Sequence, residues 1–140
     1  MKPLLPLCAF AAVVLGACVS TNAALIDPTV HLARTCPSAI RLYTTPDRVG
    51  QPYREIAVLN AKGESNWSDE DDMIESMRDK AAEVGANGII LSGIDEPSAL
   101  TKVIGQVAKT GSQRKGKALA IYVASDSATT ATVCRNAKEK

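Results

Sequence analysis

Histidine is almost missing from this chain: His31 is the only one. A Ser-His-Asp triad, a zinc site or a general base at neutral pH normally draws on histidine. Its scarcity weighs against a catalytic centre. No GxSxG or SxxK pattern arranges the serines, and no CxxC pair marks a redox site. An excess of one charge is also lacking. With 16 Lys+Arg against 15 Asp+Glu, the net charge is +1, which gives no broad basic footprint for nucleic acid. No apolar run reaches the roughly 20 residues that cross a bilayer as a helix. There is no internal repeat. A length of 140 residues favours one domain and is short for two enzyme domains. At 46% apolar, the chain is not a disordered polar one.

What is present starts at the N-terminus. Met1-Lys2 supplies one positive charge, Leu4 to Leu15 form an apolar run broken by Pro6, and Gly16-Ala17-Cys18 follow. A charged start, a short apolar stretch and small residues at the exit make an export signal. Leu15-Gly16-Ala17-Cys18 resembles the lipobox of bacterial lipoproteins. The resemblance implies a diacylglycerol on the Cys18 sulfur, a cut after Ala17 and an acyl chain on the new amine. Each buried methylene contributes about 0.8 kcal/mol, and one chain alone binds only marginally, so several chains on one residue make a lasting anchor. Val19 rather than Asp follows the cysteine. In such lipoproteins this points to the outer membrane, facing the periplasm; another bacterial envelope membrane is the alternative.

The expected division is residues 1–17 as signal peptide, 18–35 as lipidated cysteine and tether, 36–134 as a small domain and 135–140 as a tail. Without the signal the charges balance, but unevenly along the chain. Residues 18–96 hold 7 basic and 13 acidic side chains, whereas residues 97–140 hold 8 and 2. Lys102, Lys109, Arg114, Lys115 and Lys117 crowd one long connection. They form a candidate patch for anionic lipid, glycan or an acidic partner; the plain alternative is a solvated hairpin whose charges deter edge pairing.

Hydrophobic periodicity gives an α+β domain in the order β-β-α-β-β, with one amphipathic helix on a roughly four-stranded sheet. Strands are expected at 39–44, 55–60, 89–91 and 118–124. The helix is expected from Asp69 to Val84. Met73, Ile74, Met77, Ala81 and Val84 form its apolar stripe, Ser68 and Asp71 resemble a capping box, and Gly85 and Gly88 stand where it stops. The acidic run Asp69–Asp72 suits the positive end of a helix dipole; consecutive helical residues point apart, so it does not make a metal site. Removal of Cys8 and lipidation of Cys18 leave Cys36 and Cys134 as a single expected disulfide in an oxidising compartment.

Gly111–Lys117 matches the GxxxxGK half of a phosphate loop. Ala118 stands where Ser or Thr should bind Mg²⁺, and a strand pattern follows instead of a helix. No nucleotide, cofactor or metal is expected.

Residues 77–91, with Ala81-Ala82 and Gly85-Ala86-Asn87-Gly88 leading into Ile89-Ile90-Leu91, resemble a segment shared by the stress-sensor lipoproteins of the Rcs phosphorelay and the YbjQ-like small domains. The resemblance implies their fold and no catalytic residues. The resulting expectation is a non-enzymatic envelope lipoprotein, a binding or stress-sensing module with a protein partner. An outer-membrane assembly accessory working through the 102–117 basic loop is the second reading, and an envelope hydrolase a distant third.

Overall fold

The structure is a computed structural model that describes residues 19–64, 68–95 and 113–138. Five strands form one sheet: β1 (Ser20–Leu25), β2 (Arg41–Tyr43), β3 (Arg54–Glu64), β4 (Gly88–Asp95) and β5 (Gln113–Tyr122). Their spatial order is β1-β3-β5-β4-β2. All neighbours are antiparallel except β2 and β4, which are parallel. Helix α1 (Glu70–Glu83) covers one face, and a second helix, α2 (Ser127–Lys138), follows β5.

The central strand shows why the sheet forms. Along β3, Ala57, Leu59, Ala61 and Gly63 are buried while Val58, Lys62 and Glu64 are exposed, the period-two pattern of a strand covered on one side. Met73 and Met77 of α1 are fully buried on that side with Leu59, Ile89 and Ala120. Small residues opposite the helix allow the close approach: a Cβ on Gly116 would stand 2.5 Å from Met77 Cε. A second, smaller cluster lies on the other face. There the 44–53 loop folds Val49 over Ile90, Ile121 and Val123, with Tyr43, Tyr53 and Leu119 around them.

Helix α1 lies where its apolar stripe predicts, but its cap is one residue further on. Asp69, not Ser68, is the N-cap, accepting from the Asp72 N–H at 2.9 Å while the Asp72 carboxylate accepts from the Asp69 N–H at 3.1 Å. Ser68 turns back instead, its hydroxyl donating to the Glu64 carbonyl at 2.7 Å.

Three expectations need correction. The sheet has five strands rather than four, because β1 lies in the stretch assigned to a tether. The strand carries little hydrophobic signal since it is an edge: Ala23 packs against the core, Thr21 is bonded to Ser76 of α1 at 2.7 Å, and the backbone ladder to β3 from Ser20↔Lys62 to Leu25↔Ala57 supplies the rest. The rest of that stretch is docked too. Thr35 N–H donates to the Ala82 carbonyl at 3.0 Å, and its hydroxyl to the Ala86 carbonyl at 2.6 Å, satisfying carbonyls at the end of α1 that a helix leaves open. The expected tail at 135–140 is, up to Lys138, the last turn of helix α2 (Ser127–Lys138). Thr129, Thr130, Thr132, Val133, Cys134 and Asn136 of this helix are weak helix formers. The helix is held by its surroundings: the Cys36–Cys134 disulfide, the Arg41–Asp126 ion pair at 3.0 Å and the buried Thr130, whose hydroxyl donates to the Asp126 carbonyl.

Asn87 ties these parts together. It is 3% exposed. Its Nδ2 donates to the Val123 carbonyl and its Oδ1 accepts from the Val123 N–H, both at 2.8 Å. The side chain thus completes the β4–β5 pairing one residue beyond the backbone ladder, while the Asn87 carbonyl accepts from Arg41 N–H of β2. Replacement by Ala would leave the buried Val123 N–H unpaired and its carbonyl with only the Asp126 N–H, at 3.2 Å. Asn87→Ala is expected to cost about 2–4 kcal/mol, read as a lower denaturant midpoint with unchanged slope; a change below about 0.5 kcal/mol, the range of ordinary surface substitutions, would contradict this role.

Candidate functional site

Strand alternation sorts the basic residues of the sequence onto two sides of the sheet. Cross-strand partners share a face. Thr21, Leu59, Ala61, Gly116 and Ala118 face α1, so their chain neighbours face away. The register Ser20↔Lys62↔Lys115 and Asn22↔Asn60↔Lys117 therefore places Lys62, Lys115 and Lys117 together on the uncovered face. All three are exposed, and none makes an ion pair among the described residues. Beside them, Ala24↔Val58↔Leu119 forms the next row, with Val58 41% exposed. Beyond that row the 44–53 loop covers the face.

Lys62 and Lys115 stand directly opposite each other, an arrangement that costs the sheet a few tenths of a kcal/mol or more. Two acidic residues share their face: Glu64 one step towards the sheet end, and Asp95 of β4, the register partner of Lys115. Across the sheet the charge reverses: α1 carries six acidic residues and two basic ones. Of the basic last part of the sequence, Lys115 and Lys117 lie on the side of the sheet opposite this acidic helix.

Of the residues singled out in the sequence, Lys115 and Lys117 lie on this face. Arg114 does not. It alternates to the α1 side, where its Nη1 donates to the Ser68 carbonyl at 3.0 Å and secures the entry to the helix. Cys18, Lys102 and Lys109 lie outside the described residues. Lys62 was missed because it is remote in sequence and joins the others only through β3–β5 pairing. The available signal was its place between Ala61 and Gly63 in an alternating strand.

A groove of about 550 Å³ opens on the opposite side, between the short edge strand β2 and α1. Leu42 and Ile74 supply its apolar surface, and Asp71, Glu75 and Arg78 its charges. The Arg78 Nε is buried there without a hydrogen-bond partner. No group of three or more His, Cys, Asp or Glu among the described residues is arranged to hold a metal ion. His31 is exposed. The residues matching a phosphate loop run into β5 from Gln113 onward, so a strand and not a helix follows them.

Two carboxyls are held below their ordinary range. Hydrogen bonds from the Thr29 hydroxyl and N–H do this for Asp27, and the Lys80 ammonium, bonded at 2.6 Å, does it for Glu83. Both carboxyls are solvent-exposed. Their environments are those of a turn and a helix-surface ion pair, not of a proton-transfer pair in a cleft.

No protein-family model matches the chain, and no curated protein sequence matches it. Among solved structures, the chain is similar to the crystal structure of a Francisella virulence factor, FvfA, in its orthorhombic form. The TM-score is 0.52 at 17% sequence identity, over 73% of this chain and 96% of that one. At such identity the likeness concerns the fold alone.

Proposed function

We propose that the protein is an envelope lipoprotein, anchored through acyl chains on Cys18 and working as a non-enzymatic binding or sensing module for an envelope protein, with the outer membrane facing the periplasm as its place. The observation that carries the reading is the lipobox-like Leu15-Gly16-Ala17-Cys18 set directly before a folded domain whose first strand begins at Ser20. The Cys36–Cys134 disulfide suits an oxidising compartment. The resemblance of residues 77–91 to the Rcs sensor and YbjQ-like domains supports a role in recognition rather than catalysis. Among the shared residues, Gly85 and Asn87 build the helix-to-strand joint, a structural task.

Cys18→Ala removes the sulfur that would accept the lipid. Whole-cell fractionation with mass spectrometry is expected to find this variant uncut, free of acyl mass and absent from the outer-membrane fraction. A variant cut and sorted like the native chain would overturn the anchor. For the partner, crosslinking from residues 102–117 in native membranes is expected to capture one envelope protein in stoichiometric yield. Diffuse crosslinks to many proteins would speak against a specific module.

A further inference from the structure

The distance between the proposed anchor and the sheet has a geometric consequence. Cys18 precedes Ser20 by two residues, a span of at most about 7 Å. Ser20 is the first residue of β1 and pairs with Lys62, which pairs with Lys115. Neighbouring strands are about 4.8 Å apart, so these two lysines lie roughly 5 and 10 Å from Ser20 along one row. That is about one screening length at physiological salt. An acyl chain on Cys18 leaves no free tether, and it holds this edge of the sheet at the headgroups.

Resting on the lipoprotein reading, we propose that the domain lies against the membrane that anchors it, with the open sheet face of Lys62, Lys115 and Lys117 on the phosphates of anionic phospholipids and α1 turned away. Charge decides which face is down. The three lysines make no ion pair among the described residues, and an anionic surface attracts each nearby lysine by about fivefold in binding. The opposite side bears the acidic excess of α1, which the same surface repels. Asn22 and Asn60 border the lysines and supply hydrogen-bonding groups suited to phosphate and glycerol oxygens, and exposed Val58 in the next row tolerates the interface. Glu64 and Asp95, the β4 register partner of Lys115, stand at the outer end of the face, leave it a small positive excess, and disfavour an end-on approach. The acidic first turn of α1, which enters beside Glu64, disfavours it further. Both favour contact through the flat of the sheet. In this orientation the groove between β2 and α1 opens away from the bilayer, towards soluble partners.

The acylated protein, purified from membranes and placed in vesicles, tests the proposal. Lysine acetylation by a water-soluble reagent is followed residue by residue in phosphatidylglycerol-containing and in pure phosphatidylcholine vesicles. Lys62, Lys115 and Lys117 are expected to react about fivefold more slowly on the anionic vesicles, with Lys80 and Lys138 unchanged, and high salt should abolish the difference. Equal rates in the two vesicle types, or protection of Lys80 instead, would overturn the orientation while the anchor stands. Protein that carries no acyl mass and fails to float with either vesicle overturns the anchor and the orientation together.

Discussion

Removal of the Cys36–Cys134 bridge, as Cys36→Ser with Cys134→Ser or by reduction, is expected to lower the unfolding free energy by about 3–5 kcal/mol. The two cysteines are 98 residues apart, and closing a loop near 100 residues is worth about 4.7 kcal/mol when the bridge acts by restricting the unfolded chain. For a domain of this size that is a large fraction of the total stability. The loss should start locally. Helix α2 carries Thr129, Thr130, Thr132, Val133, Cys134 and Asn136, which lower its helical drive, and Thr130 is its only buried residue. Without the bridge it keeps the buried Thr130, the Arg41–Asp126 pair beside its start and its contact with the 37–39 turn. Hydrogen exchange of the α2 amides should therefore quicken before that of β3 or β5. A denaturation midpoint unmoved by reduction would contradict this account of what holds the C-terminal helix.

Gly85→Ala is expected to be the second most damaging change, at about 2–4 kcal/mol, for two separable reasons. Gly85 has φ of +82°, a left-handed conformation that costs other residues roughly 1–2 kcal/mol. A Cβ there would also stand 2.4 Å from Leu32 Cβ and 2.8 Å from the Ala33 carbonyl oxygen. Those atoms belong to backbone and to a packed side chain, so relief requires residues 30–35 to move off the end of α1. That movement would break the Thr35 bonds to Ala82 and Ala86. The measurement is a denaturation curve together with exchange at the Thr35 amide. If Gly85→Ala lowers stability yet leaves the Thr35 amide protected, the strain is local and the segment is not pinned by this crossing.

The sequence made the middle of the fold legible. Helix α1 announced itself through Met73, Met77, Ala81 and its acidic first turn, and β3, β4 and β5 through apolar or alternating runs. What it concealed was structure held by partners rather than by its own pattern. Strand β1 is an edge whose inward residues are small, so no hydrophobic period marks it. Helix α2 depends on a disulfide and on one buried threonine. Short β2 is read correctly as a strand, but its parallel pairing with β4 follows only from where the rest of the chain leaves it.

The candidate site was legible only in part, for a related reason. A run such as Arg114-Lys115-Gly116-Lys117 reads as one basic patch along the sequence. In a strand it cannot be one, because alternate residues face opposite sides. Arg114 is therefore spent on the helix entry, and Lys62 replaces it from another strand. Charge asymmetry along the chain does not map directly onto the sheet: the face away from acidic α1 takes Lys115 and Lys117 from the last part of the sequence and Lys62, Glu64 and Asp95 from the first.

The central claim is that a lipid on Cys18 holds the domain directly at a membrane. The most direct test is the intact mass of the protein extracted from its native membrane, with the N-terminal peptide sequenced. The account predicts a chain that begins at Cys18 and carries a diacylglycerol on sulfur and an acyl chain on the amine. A mature chain that begins at any other residue, or at Cys18 with an unmodified thiol, would contradict it.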